Sequence, residues 1–166
     1  MVLKSDVCNV KISIDKTYTV GSADNKAYDL VINPRHLKHN NMYKVFSIQI
    51  ELSHKIISIA LIGDFYSYDT DCAVLEGKIL TILQNDMIVQ LDISTGAMLF
   101  FKEFDCFGCN YGIYKVKSGY IIYGEIEISQ SQHDDCVKYR IPVSVFGLNS
   151  PSHVLKFRNK CFRYSV

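Results

Sequence analysis

Hydrophobic and polar residues alternate along most of this chain, with the period of two that a half-buried β-strand requires. The clearest alternating stretches are residues 8–14, 46–52 and 87–93. Residues 56–62, IISIALI, are apolar at nearly every position, which predicts a central strand of a sheet. No segment repeats apolar residues at spacings of three and four over several turns. The pattern therefore predicts an all-β protein with little helix.

Turn signals separate these strands at short intervals, as in antiparallel meanders, propeller blades and β-sandwiches. At the corner Asp92–Gly96, the pair Thr95-Gly96 can supply the positive φ that a tight turn requires. Residues 111–128 predict a hairpin, with Lys117-Ser118-Gly119 as its turn. Pro142 lies in the strand predicted over residues 137–145 and indicates an edge strand or a bulge.

The length of 166 residues predicts a single domain with a hydrophobic core of its own. A propeller blade takes about 40 residues, so there is room for roughly four blades and not for a ring of six to eight. An antiparallel meander, a propeller-like arrangement and two packed sheets all stay open. The first residues, MVLKSDVCNV, lack the pattern of a signal peptide, so we expect a cytoplasmic protein whose six cysteines are reduced.

The net charge of +1 conceals an uneven distribution of charge along the chain. Residues 61–136 contain four basic and twelve acidic residues, whereas residues 137–166 contain six basic and no acidic residues. If the acidic part forms one surface, that surface attracts a basic partner and repels nucleic acid. The alternative is that folding brings the two parts together and they neutralise each other.

Few residues suggest catalysis or metal binding. Cys106 and Cys109 form the one Cys-x-x-Cys pair, but a zinc site needs two further close ligands, and a redox motif needs a helix at its first cysteine. Cys8 and Cys72 lie among strand residues and are predicted to be core. The five histidines are scattered, and no nucleophile elbow or phosphate-binding loop is present. We therefore expect no catalytic residues, no metal and no cofactor.

Two acidic, tyrosine-bearing stretches are the best candidates for binding. The first, GDFYSYDTD, follows the apolar strand 56–62 and is predicted to be a loop. The second lies on the strand predicted over residues 120–128, where neighbouring positions two apart share one face. Tyrosine offers contact area at a low cost in entropy, and acidic residues steer a basic partner. The candidate partner-binding residues are Asp64, Tyr66, Tyr68, Asp69, Asp71, Tyr123, Glu125 and Glu127.

The phrases DCAVLEGKILTILQNDMIVQLDISTG and NYGIYKVKSGYIIYGEIEI resemble small bacterial β-proteins found near polymorphic toxin genes. The corner in IVQLDISTGAMLFF also resembles the blade repeats of quinoprotein-like propellers. These resemblances cover roughly residues 56–128. The first implies an immunity protein of the kind that acts in contact-dependent growth inhibition, binding and blocking a cognate protein toxin. A nuclease toxin is the expected partner, because its active site must be basic to hold phosphates.

Two other functions stay open from the sequence. The tyrosines of the first stretch suit a carbohydrate-binding domain, and two carboxylates suit a carbohydrate-active one. The chain also fits a structural fragment of a larger propeller assembly. We expect no direct binding to nucleic acid, because the basic residues are dispersed and no stacking platform is recognisable. No segment predicts a membrane span.

Overall fold

The fold is taken from a computed structural model of the chain. The structure describes residues 1–38, 45–63, 72–84, 87–103, 109–116, 119–128, 137–147 and 154–155. From Cys109 onward, side chains are described only for residues 112–115, Tyr120 and Ile122.

The described residues form thirteen strands and no helix. In chain order these are β1 Val2–Lys4, β2 Asn9–Asp15, β3 Leu30–Ile32, β4 Val45–Leu52, β5 Lys55–Ile62, β6 Ala73–Glu76, β7 Ile79–Leu83, β8 Met87–Asp92, β9 Met98–Glu103, β10 Cys109–Val116, β11 Gly119–Ile128, β12 Val137–Gly147 and β13 Val154–Leu155. They build three sheets. The all-β prediction is confirmed.

The first sheet has the order β1-β2-β4-β5-β3. Its register places Val10 opposite Ile50, and Ile50 opposite Ile57, so that one face is a continuous layer of β-branched residues. β5 lies between β4 and β3, as expected of the apolar run 56–62. β3 pairs with β5 in parallel, and this is the one parallel pair among the described strands.

The second sheet, β6-β7-β8-β9, and the third sheet, β10-β11-β12-β13, are four-stranded meanders in which each strand pairs with the next strand along the chain. The hairpin predicted over residues 111–128 is the β10–β11 pair. Opposite the step from Ile122 to Tyr123, the register of β12 passes from Ser144 to Pro142, which leaves one residue extra. Pro142 therefore adjoins a bulge, one of the two alternatives that its position predicted.

The three sheets stack face to face, with the second sheet in the middle. One of its faces packs on the first sheet, where Leu80, Ile82 and Val89 join Ile48 and Ile59 in a large buried core. Its other face packs on the third sheet through Leu83, Ile88, Ile113, Tyr120 and Ile122. Residues 16–38 cover the outer face of the first sheet, where Tyr18 and Val20 pack on Ala60 and Ile62.

The first strands of the sheets, β1, β6 and β10, lie beside one another and form the inner side of the stack. Contacts between sheets show how the strand ends align. Ser5 Oγ donates to the carbonyl of Gly77 at 3.4 Å, and Lys55 Nζ donates to the carbonyl of Ser94 at 3.5 Å. The turns β1–β2, β4–β5, β6–β7 and β8–β9 thus share one end of the stack, which we call the Gly77 end.

The other strand termini lie at the opposite end of the stack, which we call the Gly63 end. β5 ends there beside Gly63, and the Gln84 side chain lies directly against Gly63 where a Cβ would otherwise be. The Leu83 amide donates to the Cys72 carbonyl at 2.8 Å, so β7 ends where β6 begins. Because the strands of a meander alternate in direction, β8 also begins at this end and β9 finishes there. Lys115, near the end of β10, binds Glu76 at the Gly77 end, so β10 begins at the Gly63 end and its antiparallel partner β11 finishes there.

The corner Asp92–Gly96 forms as predicted. Asp92 Oδ1 accepts hydrogen bonds from the Ser94 amide at 2.8 Å and the Ser94 hydroxyl at 2.6 Å. Gly96 has a φ of 75° and its amide donates to the Asp92 carbonyl at 2.7 Å. The Leu30 side chain packs on Gly96, so a Cβ at this position has no space. The corner is architectural.

Candidate functional site

The two acidic, tyrosine-bearing stretches attach to the same end of the stack. Gly63 and Cys72, the residues that flank 64–71, both lie at the Gly63 end. The carboxyl-terminal part of β11 reaches the same end, because Glu125 pairs with Cys109 at the start of β10. Two stretches that are distant in the sequence therefore approach one end of the molecule.

The predicted residues of the first stretch, Asp64, Tyr66, Tyr68, Asp69 and Asp71, lie outside the described residues. Tyr123, Glu125 and Glu127 lie on β11 as predicted, and for them the structure describes the backbone. Their positions two apart put them on one face of β11. Whether both groups act together stays a prediction.

The register of the third sheet adds basic residues beside the two glutamates. Glu125 pairs with Arg140, and Glu127 pairs with Lys138, across the β11–β12 ladder. Basic residues at these paired positions reduce the net charge of that part of the sheet. The acidic character expected for this end therefore depends most on residues 64–71.

Three further acidic residues of the region 61–136 have described side chains, and all three have partners within the protein. Glu103 binds Arg35 Nε at 2.6 Å, Asp92 binds Ser94, and Glu76 lies 3.0 Å from Lys115 Nζ. The two hydrogen bonds from Ser94 lower the pKa of Asp92. These three acidic residues stabilise contacts within the protein, so fewer than twelve acidic residues of the region 61–136 are left to form an acidic surface.

Gln84 is the unusual buried residue at the Gly63 end. Its side chain is 1% exposed, and within the described part of the chain neither Oε1 nor Nε2 has a hydrogen-bond partner. A buried amide without partners costs free energy. No sequence pattern singled out Gln84, since this residue simply follows the apolar strand β7.

A second polar cluster, which we call the tyrosine network, lies between the second and third sheets at the Gly77 end. Gln90 Nε2 donates to Thr81 Oγ1 at 3.1 Å, and Thr81 Oγ1 donates to the Tyr120 hydroxyl at 3.0 Å. Tyr120 donates to Glu76 Oε2 at 2.6 Å, and Lys115 Nζ binds the same oxygen. Lys115 also lies 4.7 Å from the centre of the Tyr120 ring.

The electrostatics of the tyrosine network favour a neutral phenol beside a charged carboxylate. Burial alone would raise the pKa of Glu76, but hydrogen bonds from Tyr120 and Lys115 and the charge of Lys115 outweigh it and lower the pKa. Burial, together with the hydrogen bond to Glu76, raises the pKa of Tyr120. Donors and acceptors are matched within the cluster, so its hydrogen bonds can fix the alignment of the second and third sheets.

The described residues offer no metal site, since no group of three His, Cys, Asp or Glu side chains among them is placed to hold an ion. Cys8 and Cys72 are buried in the core, as predicted. Cys106 lies outside the described residues, and Cys109 begins β10. Within the described ranges, no helix has the length and apolar character to cross a membrane.

Comparisons with protein families, with curated proteins and with solved structures give no match.

Proposed function

We propose that this protein is a protein-binding inhibitor of the immunity type, which neutralises a cognate bacterial toxin by covering the toxin's active site. The expected partner is a basic protein, with a nuclease as the first candidate. The observation that carries the proposal is the common end of the two acidic, tyrosine-bearing stretches: Gly63, Cys72 and the end of β11 all lie at the Gly63 end.

The scaffold supports this role. Strands from all three sheets finish or begin at the Gly63 end, and two buried cores hold those sheets together. Segments that join rigid strands bind partners at a smaller cost in ordering than segments of a loose chain. Tyrosines supply the contact area in such an interface, while the acidic residues speed the encounter with a basic partner.

We infer from the register of β11 and β12 which acidic residues contribute most to partner binding. Arg140 and Lys138 occupy the positions paired with Glu125 and Glu127 in the β11–β12 ladder, and a basic residue at a paired position reduces the net charge there. Asp64, Asp69 and Asp71 belong to the predicted loop, outside the described residues. We therefore expect Asp69 to contribute more to partner binding than Glu125.

The test uses the chain together with the product of the neighbouring gene, which we expect to be the cognate toxin. The variant Asp69→Lys with Glu125→Lys should weaken the complex by about 100-fold, because the change places positive charge against a basic cleft. Titration calorimetry measures the affinity, and growth of cells that express the toxin measures protection. Asp69→Lys alone should account for most of the loss.

A matched control reverses two charges elsewhere. Asp6 and Asp24 are exposed, and Asp6 lies in the β1–β2 turn at the Gly77 end. The variant Asp6→Lys with Asp24→Lys should bind the toxin as the parent does and unfold at the same temperature. Equal affinity of the parent and the Asp69→Lys, Glu125→Lys variant would contradict the proposed surface. Absence of any complex with the neighbouring toxin would contradict the function.

A further inference from the structure

One continuous segment covers the outer face of the first sheet. It consists of β3 and the turns on either side of it, residues 16–38, and we call it the strap. Tyr18 and Val20 of the strap are buried and pack on Ala60 and Ile62 of β5. No strap residue is among the buried members of the large core on the inner face of the same sheet. The strap therefore covers an apolar face without forming part of the buried centre.

The turns of the strap are closed by its own side chains. Asn25 Oδ1 accepts a hydrogen bond from the Thr19 amide at 2.9 Å, and Asn25 Nδ2 donates to the Thr19 carbonyl. Asn33 closes the second turn, where its Oδ1 accepts from the Leu37 amide at 2.9 Å and its Nδ2 donates to the Leu37 carbonyl at 3.1 Å. Because both turns are closed locally, these hydrogen bonds do not depend on contact with the sheet.

The pairing of the strap with the sheet is short. β3 has three residues and pairs with β5 in parallel, which is the slightly less stable arrangement per residue. Leu30 and Val31 are 37% and 51% exposed, and Ile32 packs only at the margin of the large core. β4 and β5, by contrast, pair over eight residues. The β3–β5 ladder is therefore much weaker than the β4–β5 ladder beside it.

Two side-chain contacts fasten the strap, one on each side of β3. Before the strand, Asp29 Oδ2 accepts hydrogen bonds from the Ser58 amide and the Ser58 hydroxyl, both at 2.7 Å. After the strand, Arg35 Nε donates to Glu103 Oε1 at 2.6 Å. Asp29 and Glu103 are exposed, so water competes for both contacts. We call these two contacts the latches of the strap.

We propose that the strap opens as one unit while the other strands of the three sheets stay assembled. Opening releases β3 and both latches together, because a single stretch of chain carries them. It uncovers Val45, Ala60 and Ile62 and leaves β5 at the edge of the first sheet. The two cores that hold the sheets together are not broken by this movement. Subglobal openings of this kind cost less free energy than global unfolding.

The strap also borders the Gly63 end. β3 runs parallel to β5, so the turn Asn33–Leu37 lies at the end of the stack where β5 reaches Gly63. Opening of the strap therefore moves one border of that end. The proposal concerns the free protein and does not rest on the proposed function.

Native-state hydrogen exchange of the full chain, followed by NMR, tests the proposal. The paired amides of β3 should exchange about 100-fold faster than the slowest amides of β7 and β8. Low concentrations of urea should speed the exchange of those slowest amides strongly and of the β3 amides only slightly, because strap opening exposes less surface than global unfolding. Equal rates and equal urea dependence in the two groups of amides would overturn the proposal.

Two variants separate strap opening from global unfolding. Ile48→Val removes a methylene group from the large core, which stays intact when the strap opens. It should speed exchange of the slowest β7 and β8 amides about 5-fold and leave exchange of the β3 amides unchanged. Asp29→Ala removes the latch on Ser58 and should speed exchange of the β3 amides about 10-fold. Asp6→Ala, in the β1–β2 turn, is the matched control and should alter neither group.

Either variant can contradict the proposal. If Ile48→Val speeds exchange of the β3 amides by the same factor as the β7 and β8 amides, the strap opens only when the whole protein unfolds. An unchanged rate of β3 exchange in Asp29→Ala would show that this latch does not hold the strap, which also overturns the proposal. Circular dichroism checks that each variant is folded.

Discussion

The two faces of the second sheet are packed by different means. Against the first sheet, the contact is a wide layer of aliphatic side chains. Against the third sheet, a smaller apolar cluster is joined by the tyrosine network. Hydrophobic packing is strong but non-directional, whereas hydrogen bonds fix how two surfaces are aligned. The first junction should thus provide most of the stability, and the second should be the more specific.

The largest expected effect comes from removing volume at the first junction. Ile48 is fully buried on β4, and Ile48→Ala should lower the free energy of unfolding by about 2–5 kcal/mol. Urea unfolding followed by circular dichroism measures the change. Ile56→Ala, at an exposed position of the neighbouring strand, should have little effect. Similar losses in the two variants would show that the first junction does not dominate stability.

A smaller effect should follow from breaking the tyrosine network. Tyr120→Phe removes the donor to Glu76 and the acceptor for Thr81, which should cost about 1–2 kcal/mol. Thr81→Val removes a neighbouring link of the same chain of hydrogen bonds. In a double-mutant cycle the two changes should be coupled by about 1 kcal/mol. Strict additivity in urea unfolding would mean that the network does not act as a unit.

The smallest effect is a dependence on pH at the same junction. The pKa of Glu76 is lowered in the folded protein, so its contribution is present above the pKa of an unfolded glutamate and is lost as pH falls through the folded pKa. Because Glu76 is 37% exposed, we expect less than about 1 kcal/mol. The difference in stability between the parent and Glu76→Gln should shrink below about pH 4.5. A difference that stays constant down to acid pH would contradict the ion pair.

The sequence predicted the strands that carry alternation. β2, β4, β5 and β8 each contain several apolar residues at a spacing of two, and a residue-level pattern is enough to find them. β1 and β3 were missed because each has only three residues, too few for a period to appear.

The stacking of three sheets could not be predicted in the same way. Alternation says that one face of a strand is buried, but it does not say which sheet buries it. Thr81, for example, is fully buried on the face towards the third sheet, and its partner Tyr120 is distant in sequence. Contacts of this kind depend on register and on packing between sheets, which no local pattern contains.

The candidate site, too, was predictable from the sequence only in part. The acidic, tyrosine-bearing stretches were visible in the sequence as composition, and the directions of the strands explain how they reach one end. The pairing of Glu125 with Arg140 needed the β11–β12 register. The exposure of the apolar strand β9 also could not be predicted, because the pattern does not distinguish an outer strand from a covered one.

Each of the last two sheets is formed from neighbouring stretches of chain, and every pairing within them closes a short loop. Such local connections cost little entropy and form early in folding. We expect these two meanders to appear as separate hairpin ladders before they dock. The slow step should be the completion of the first sheet, because β3 pairs with β5 although β4 lies between them in the sequence.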